Sequence, residues 1–136
     1  MNMKTISKFN CGPAFAQTKI NLVVFNEEEW PAIAKRFGHE GKRNIPGGFV
    51  HLKEWRISRG TKPIFVVINA DGGDPKNRPF RTLPHELTHL IGILEEEFRV
   101  SAGQSEPVAY LSGYLFAQFQ PALLKYLGYE IKKRDA

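Results

Sequence analysis

Residues 82–98 read Thr82-Leu83-Pro84-His85-Glu86-Leu87-Thr88-His89-Leu90-Ile91-Gly92-Ile93-Leu94-Glu95-Glu96-Glu97-Phe98. Leu83, Leu87, Leu90, Ile91, Leu94 and Phe98 recur at three- and four-residue spacing, the period of one helical face. The stretch therefore predicts an amphipathic helix that lays this stripe on a core. Thr82 has the side chain of an N-cap and Pro84 suits a first turn, so the helix is expected to begin near 82 and to run to about Arg99.

Downstream, Val100 to Gln104 reads as a loop and Ser105 as the cap of a second helix. Val108, Leu111, Leu115, Phe119 and Leu123 carry that helix towards Leu127, with Pro121 placed to kink or split it. Upstream, Lys19 to Phe25 is β-branched and aromatic and predicts a strand. Asn26 then caps a helix over about 27–37, with Glu27, Glu28 and Glu29 at its positive end, Pro31 in its first turn and a stop near Gly38. Gly41 to Gly48 is a basic, glycine-rich loop. Phe49 to Lys53 predicts a short strand closed by a turn at Arg59-Gly60, and the apolar run within Lys62 to Asn69 predicts the clearest strand. Asp71-Gly72-Gly73-Asp74-Pro75 is a tight turn, and turn chemistry accounts for its aspartates without a cation.

Strands early and two long helices late indicate an α+β domain with helices packed on a small sheet. A chain of 136 residues, 42% hydrophobic, suits one domain over 1–136. The first dozen residues are the one stretch where disorder is expected to enter, and they hold no apolar run of signal or anchor length, so a cytoplasmic protein without membrane attachment is expected. Cys11 is the single cysteine, which rules out an internal disulfide and leaves an ordinary buried or half-exposed thiol rather than a nucleophile. The net charge of +5 is dispersed over Lys35-Arg36, Lys42-Arg43 and Lys132-Lys133-Arg134, without the continuous stripe that tracking a phosphate backbone needs, so no nucleic-acid partner is expected.

The chemistry sits on the first of the two long helices. Residues four apart on a helix lie on one face, about 5–6 Å apart at Cβ, so His85 and His89 can aim two imidazole nitrogens at one ion. Glu86 adjoins the first histidine and can lean towards the same ion without binding it, placed to take a proton from water and later deliver it to a leaving amine. From this chain's own composition the pattern HExxH would arise by chance in about one such sequence in a hundred, so it carries weight once a helix is expected to hold it.

A catalytic zinc takes a third protein ligand. Two glutamates compete. Glu95 completes His85-Glu86-x-x-His89-x-x-Gly92-x-x-Glu95, a metzincin-like spacing, yet the chain has methionine only at positions 1 and 3 and no methionine turn. Along an unbroken helix Glu95 also falls about 9 Å beyond His89. Glu106, 17 residues after His89 at the head of the next helix, is the better candidate. Small Ala109 and Gly113 are expected where the two helices approach. Tyr110 and Tyr114 are possible oxyanion stabilisers, although core or rim positions are commoner for tyrosine. His39 and His51 have no partner spacing.

This arrangement resembles the gluzincins, in which a glutamate on the helix after HExxH completes a His, His, Glu site. More narrowly, His85 to His89 with Glu106-Pro107-Val108-Ala109-Tyr110-Leu111 looks like small metallopeptidase-like proteins encoded by bacteriophages and prophages, over roughly residues 64–116. The resemblance implies a minimal zincin-like domain binding Zn2+ through His85, His89 and Glu106, with Glu86 as general base. It also implies a peptide or protein substrate and the Ile64 to Ile68 strand near the edge of the cleft. Two rivals remain: a zinc-bound, non-catalytic module that engages a host factor, and a basic nucleic-acid-binding protein whose histidines are incidental.

Overall fold

The computed structural model describes residues 5–42, 44–52, 63–71, 79–98 and 106–128, and of residues 14 and 106–108 the backbone alone. Four strands, β1 (Thr5–Asn10), β2 (Lys19–Phe25), β3 (Gly48–His51) and β4 (Ile64–Asn69), form one sheet in the order β1-β2-β4-β3. β2 and β4 run parallel, Ile20 opposite Ile64 through Phe25 opposite Asn69, while β1 and β3 flank them antiparallel. Helices α1 (Trp30–Phe37), α2 (Pro79–Glu97) and α3 (Glu106–Tyr126) cover the two faces, so the architecture is α+β as expected.

Period-two alternation assigns each face. Ile20, Leu22 and Val24 of β2, with Ile64, Val66 and Ile68 of β4, meet Leu83, Leu87, Leu90 and Leu94 of α2 and Leu111, Leu115, Phe119 and Leu123 of α3. Val23, Phe25, Phe65 and Val67 point the other way, onto Trp30, Ile33, Ala34 and Phe37 of α1. β4 is covered on both sides, which is why its sequence is a continuous apolar run rather than an alternating one. Asn69, its last residue, is buried but satisfied: its amide donates to Glu27 Oε1 and the Pro46 carbonyl, and its Oδ1 accepts from the Asp71 N–H at 2.8 Å.

Four expectations shift. The N-terminal stretch thought open to disorder supplies β1, because Ile6 and Phe9 lean on the helix-covered core. The Ile64 to Ile68 strand is interior rather than at an edge; the outer strand on the α2 side is β3. α2 starts one turn early: Pro79, buried, takes the first helical position, where its missing N–H costs nothing, and Thr82 lies inside the helix, buried, instead of capping it. α3 runs unbroken through Pro121. The turn expected at Arg59-Gly60 and the cap at Ser105 fall outside the described residues.

The helix before the sheet crossover matches its signals. Asn26 N–H bonds Glu29 Oε1 at 3.0 Å, a 3-10 turn over Glu27–Glu29 leads into α1, and Gly38 closes it at φ 76°. Asp71 belongs to the turn after β4 and accepts from the Glu27 N–H through Oδ2 at 2.8 Å.

Candidate metal centre

β4 and β2 being parallel, their C-terminal ends share one side of the molecule. Thr82 of α2 sits there against Gly48, which pairs with Ile68, whereas Phe98 just past α2 packs edge-on to Phe15 at 5.4 Å, at the opposite end. α3 returns: Gln118 bonds Ser7 Oγ and the Lys8 carbonyl of β1, and Tyr126 lies near Glu29 and Asp71 at the first end. α2 and α3 are therefore antiparallel, α2 over β4 and β3, α3 over β1.

Gly48 is what lets α2 settle on β3. A Cβ there would lie 2.6 Å from the Thr82 methyl and 2.9 Å from the Val67 carbonyl oxygen, so only glycine fits. The close approach expected at Gly113 is absent, since a Cβ on it meets nothing within 4 Å, and Ala109 is exposed. Bulky Leu111, Leu115, Phe119 and Leu123 fill α3's inner face instead.

Thr82, Glu86, His89 and Ile93 follow at spacings of four, three and four, and so share the flank of α2 that faces β3. His89 on this flank and His85 beside it, one turn earlier, are exposed, and their Nε2 atoms approach to 3.0 Å with ring planes at 83°. Two imidazoles sharing a tetrahedral zinc at about 2.0–2.1 Å each would hold their nitrogens about 3.3 Å apart, so this pair has the spacing and convergence of two ligands. Without an ion, the same contact is one N–H donated to the other ring. Glu86 is only 9% exposed beside them. Burial pushes its carboxyl up, and the neighbouring His85 and His89 pull it partly back.

The two glutamates expected to compete as a third ligand stand differently. α2 continues straight through Gly92 to Glu97, so Glu95 stays exposed on the helix, about 9 Å along the axis from His89, without the turn a metzincin geometry requires. Glu106 is the first residue of α3, at the end of the hairpin where α2 stops, and the eight residues from His89 to Glu97 amount to about 12 Å of axial offset. Among the described residues no group of three His, Cys, Asp or Glu side chains gathers as a metal site, and the Glu106 side chain is not among them. Tyr110 and Tyr114 are each 63% exposed. Tyr114 precedes Gln118 by one turn and so shares the flank over β1, away from the histidines.

The other two histidines belong to the opposite face of the sheet. His39 stacks on Phe49 at 4.3 Å, and His51 meets Phe37 edge-on at 4.8 Å. Cys11 is half-buried, its thiol pushed up to about 12 by burial, and is no nucleophile at neutral pH.

No family model matches the chain, and neither does any curated protein or solved structure. Among the described residues no helix is long and apolar enough to cross a membrane.

Proposed function

We propose that this chain is a zinc-dependent hydrolase of the HExxH type, acting on peptide bonds, within a minimal zincin-like fold. The convergence of His85 and His89 Nε2 at 3.0 Å beside a buried carboxylate carries the reading. A chance pair of surface histidines has no reason to keep an acid buried between them and the sheet. The donor set fits zinc: two imidazole nitrogens are borderline ligands of the kind it prefers.

Zinc, when bound, supplies Lewis-acid polarisation of a carbonyl and acidifies water at that point. His85 and His89 hold it, with Glu106 retained as the proposed third ligand. Glu86 accepts the proton of the attacking water and passes it to the departing amine, so that the amine leaves neutral. Its burial keeps the carboxyl largely out of bulk solvent.

Orientation of the substrate falls to β3. Asn69 N–H bonds the Gly47 carbonyl, and the register then directs the backbone groups of Phe49 and His51 at β4, while those of Gly48 and Val50 point away from it. An extended peptide lying along this edge would pair with Gly48 and Val50 and pass beside the flank bearing Glu86 and His89.

Glu86→Gln tests the reading. The amide keeps shape and hydrogen bonding but accepts no proton, so the variant should bind zinc as the wild type does and lose roughly 10²- to 10⁴-fold in rate. Exposing a cell lysate to each protein and sequencing new peptide termini provides the comparison. Termini that appear with wild type alone support the peptidase; identical termini, or none from zinc-loaded wild type, would replace it with a zinc-bound binding module.

A further inference from the structure

On the face of the sheet opposite the histidines, β2 presents Lys19, Asn21, Val23 and Phe25 in turn. α1 covers only the last two. The other two sit in cross-strand pairs with β1, Lys19 opposite Asn10 and Asn21 opposite Lys8, and with Phe9 and Pro63 they line a groove of about 470 Å³. The strand alternation that elsewhere builds a core here gives a quartet of two ammonium groups and two carboxamides.

The quartet is electrostatically one-sided. Lys8 and Lys19 occupy diagonal positions, neighbours about 7–8 Å apart along the ladder, and both are exposed. Asn21 neighbours Phe65 on β4, and the Arg36 guanidinium lies over the Phe65 ring at 5.5 Å, so a third cation borders the same surface. Among the described residues no carboxylate pairs with any of the three, and none lines the groove. Asn10 has its Oδ1 engaged by the Gly12 N–H at 2.8 Å, which reserves its Nδ2 as a donor. A surface serving solubility alone intersperses both signs. This one combines point cations with amide donors around a concavity of small-ligand size.

We propose that this groove binds a polyvalent oxyanion, a small molecule bearing phosphate groups or several carboxylates, between the Lys8 and Lys19 ammonium groups and the Asn10 and Asn21 amides, with Arg36 at its margin. The site lies across the sheet from His85 and His89 and is independent of metal.

Calorimetric titration of chelator-treated, full-length protein with pyrophosphate and with citrate, at about 50 mM salt to limit screening, tests it. One saturable site is expected in this metal-free protein. Asn21→Asp, which alters charge but not shape, and Lys8→Glu with Lys19→Glu should each weaken it at least tenfold, and Lys125→Glu on α3 should change it less than twofold. Thermal unfolding confirms that the variants fold. Tighter binding of pyrophosphate assigns the phosphate source and tighter binding of citrate the carboxylate source; either sustains the site. Absence of saturation with both anions, or equal weakening by Lys125→Glu, overturns it.

Discussion

At the residue scale the ligand assignments separate by substitution. His85 and His89 converge through their own helix, but a third donor must come from elsewhere in the chain, and the two glutamates make different demands on it. Glu95→Gln alters an exposed side chain on an unbroken helix and should leave zinc affinity within about twofold; Glu106→Gln should lower it at least tenfold if the hairpin brings that residue in. Metal titration of both variants decides, and a larger loss at Glu95 would reverse the assignment. Equal, unaltered affinities would place the third ligand at neither glutamate. Cys11 offers a separate check on the packing beneath β1. Its thiol rises from an ordinary 9.0 to about 12, so the folded chain keeps a proton that the unfolded chain gives up. Its contribution to stability is whole below pH 9.0 and is lost as pH rises towards 12. Iodoacetamide at pH 8 should accordingly leave folded protein unmodified and label it in urea, read by intact mass. Fast labelling of the folded state would contradict the burial.

At the scale of elements, the contact between α2 and β3 positions the candidate centre, and it turns on one glycine. Gly48→Ala would force a Cβ within 2.6 Å of the Thr82 methyl and 2.9 Å of the Val67 carbonyl oxygen. The variant should lose about 1–3 kcal/mol in urea denaturation. Thr82→Ser, added to it, should recover part of that loss by removing the methyl; the fixed carbonyl prevents full recovery. An unchanged midpoint for Gly48→Ala would mean that α2 does not sit this close. This contact was not legible in the sequence, where Gly48 closes a glycine-rich loop and nothing local names its partner 34 residues away. Elements written in local periodicity were legible: Lys19 to Phe25, the α1 segment with its Asn26 and Gly38 boundaries, and the leucine stripes of α2 and α3. β1 was missed because Thr5 to Asn10 alternates weakly and gains its order from pairing with β2. The candidate centre divides in the same way. His85, Glu86 and His89 are local and were read directly, whereas the strand beside them and the position of Glu106 depend on how the hairpin folds back. The Lys8, Asn10, Lys19 and Asn21 quartet had a signal in Lys19-x-Asn21-x-Val23-x-Phe25, a strand face that changes from polar to apolar halfway, but only the β1 register completes it.

For the whole molecule, β2 and β4 contribute side chains to both clusters, so neither helical layer can be lost without exposing the strands that the other covers. Unfolding should be a single transition, with far- and near-ultraviolet circular dichroism coincident. Phe25→Ala on the α1 side and Leu115→Ala on the α3 side should each lower that one midpoint, by an amount equivalent to about 2–5 kcal/mol. Separate transitions would mean that the two layers are independent. The account as a whole stands on His85 and His89 sharing an ion, and metal content of the intact chain tests that most directly. Protein purified without chelator and analysed by elemental mass spectrometry should carry about one zinc per chain, and His85→Ala or His89→Ala should carry none. Wild-type protein that is metal-free and takes up no zinc at neutral pH, or variants that keep it, would contradict the account.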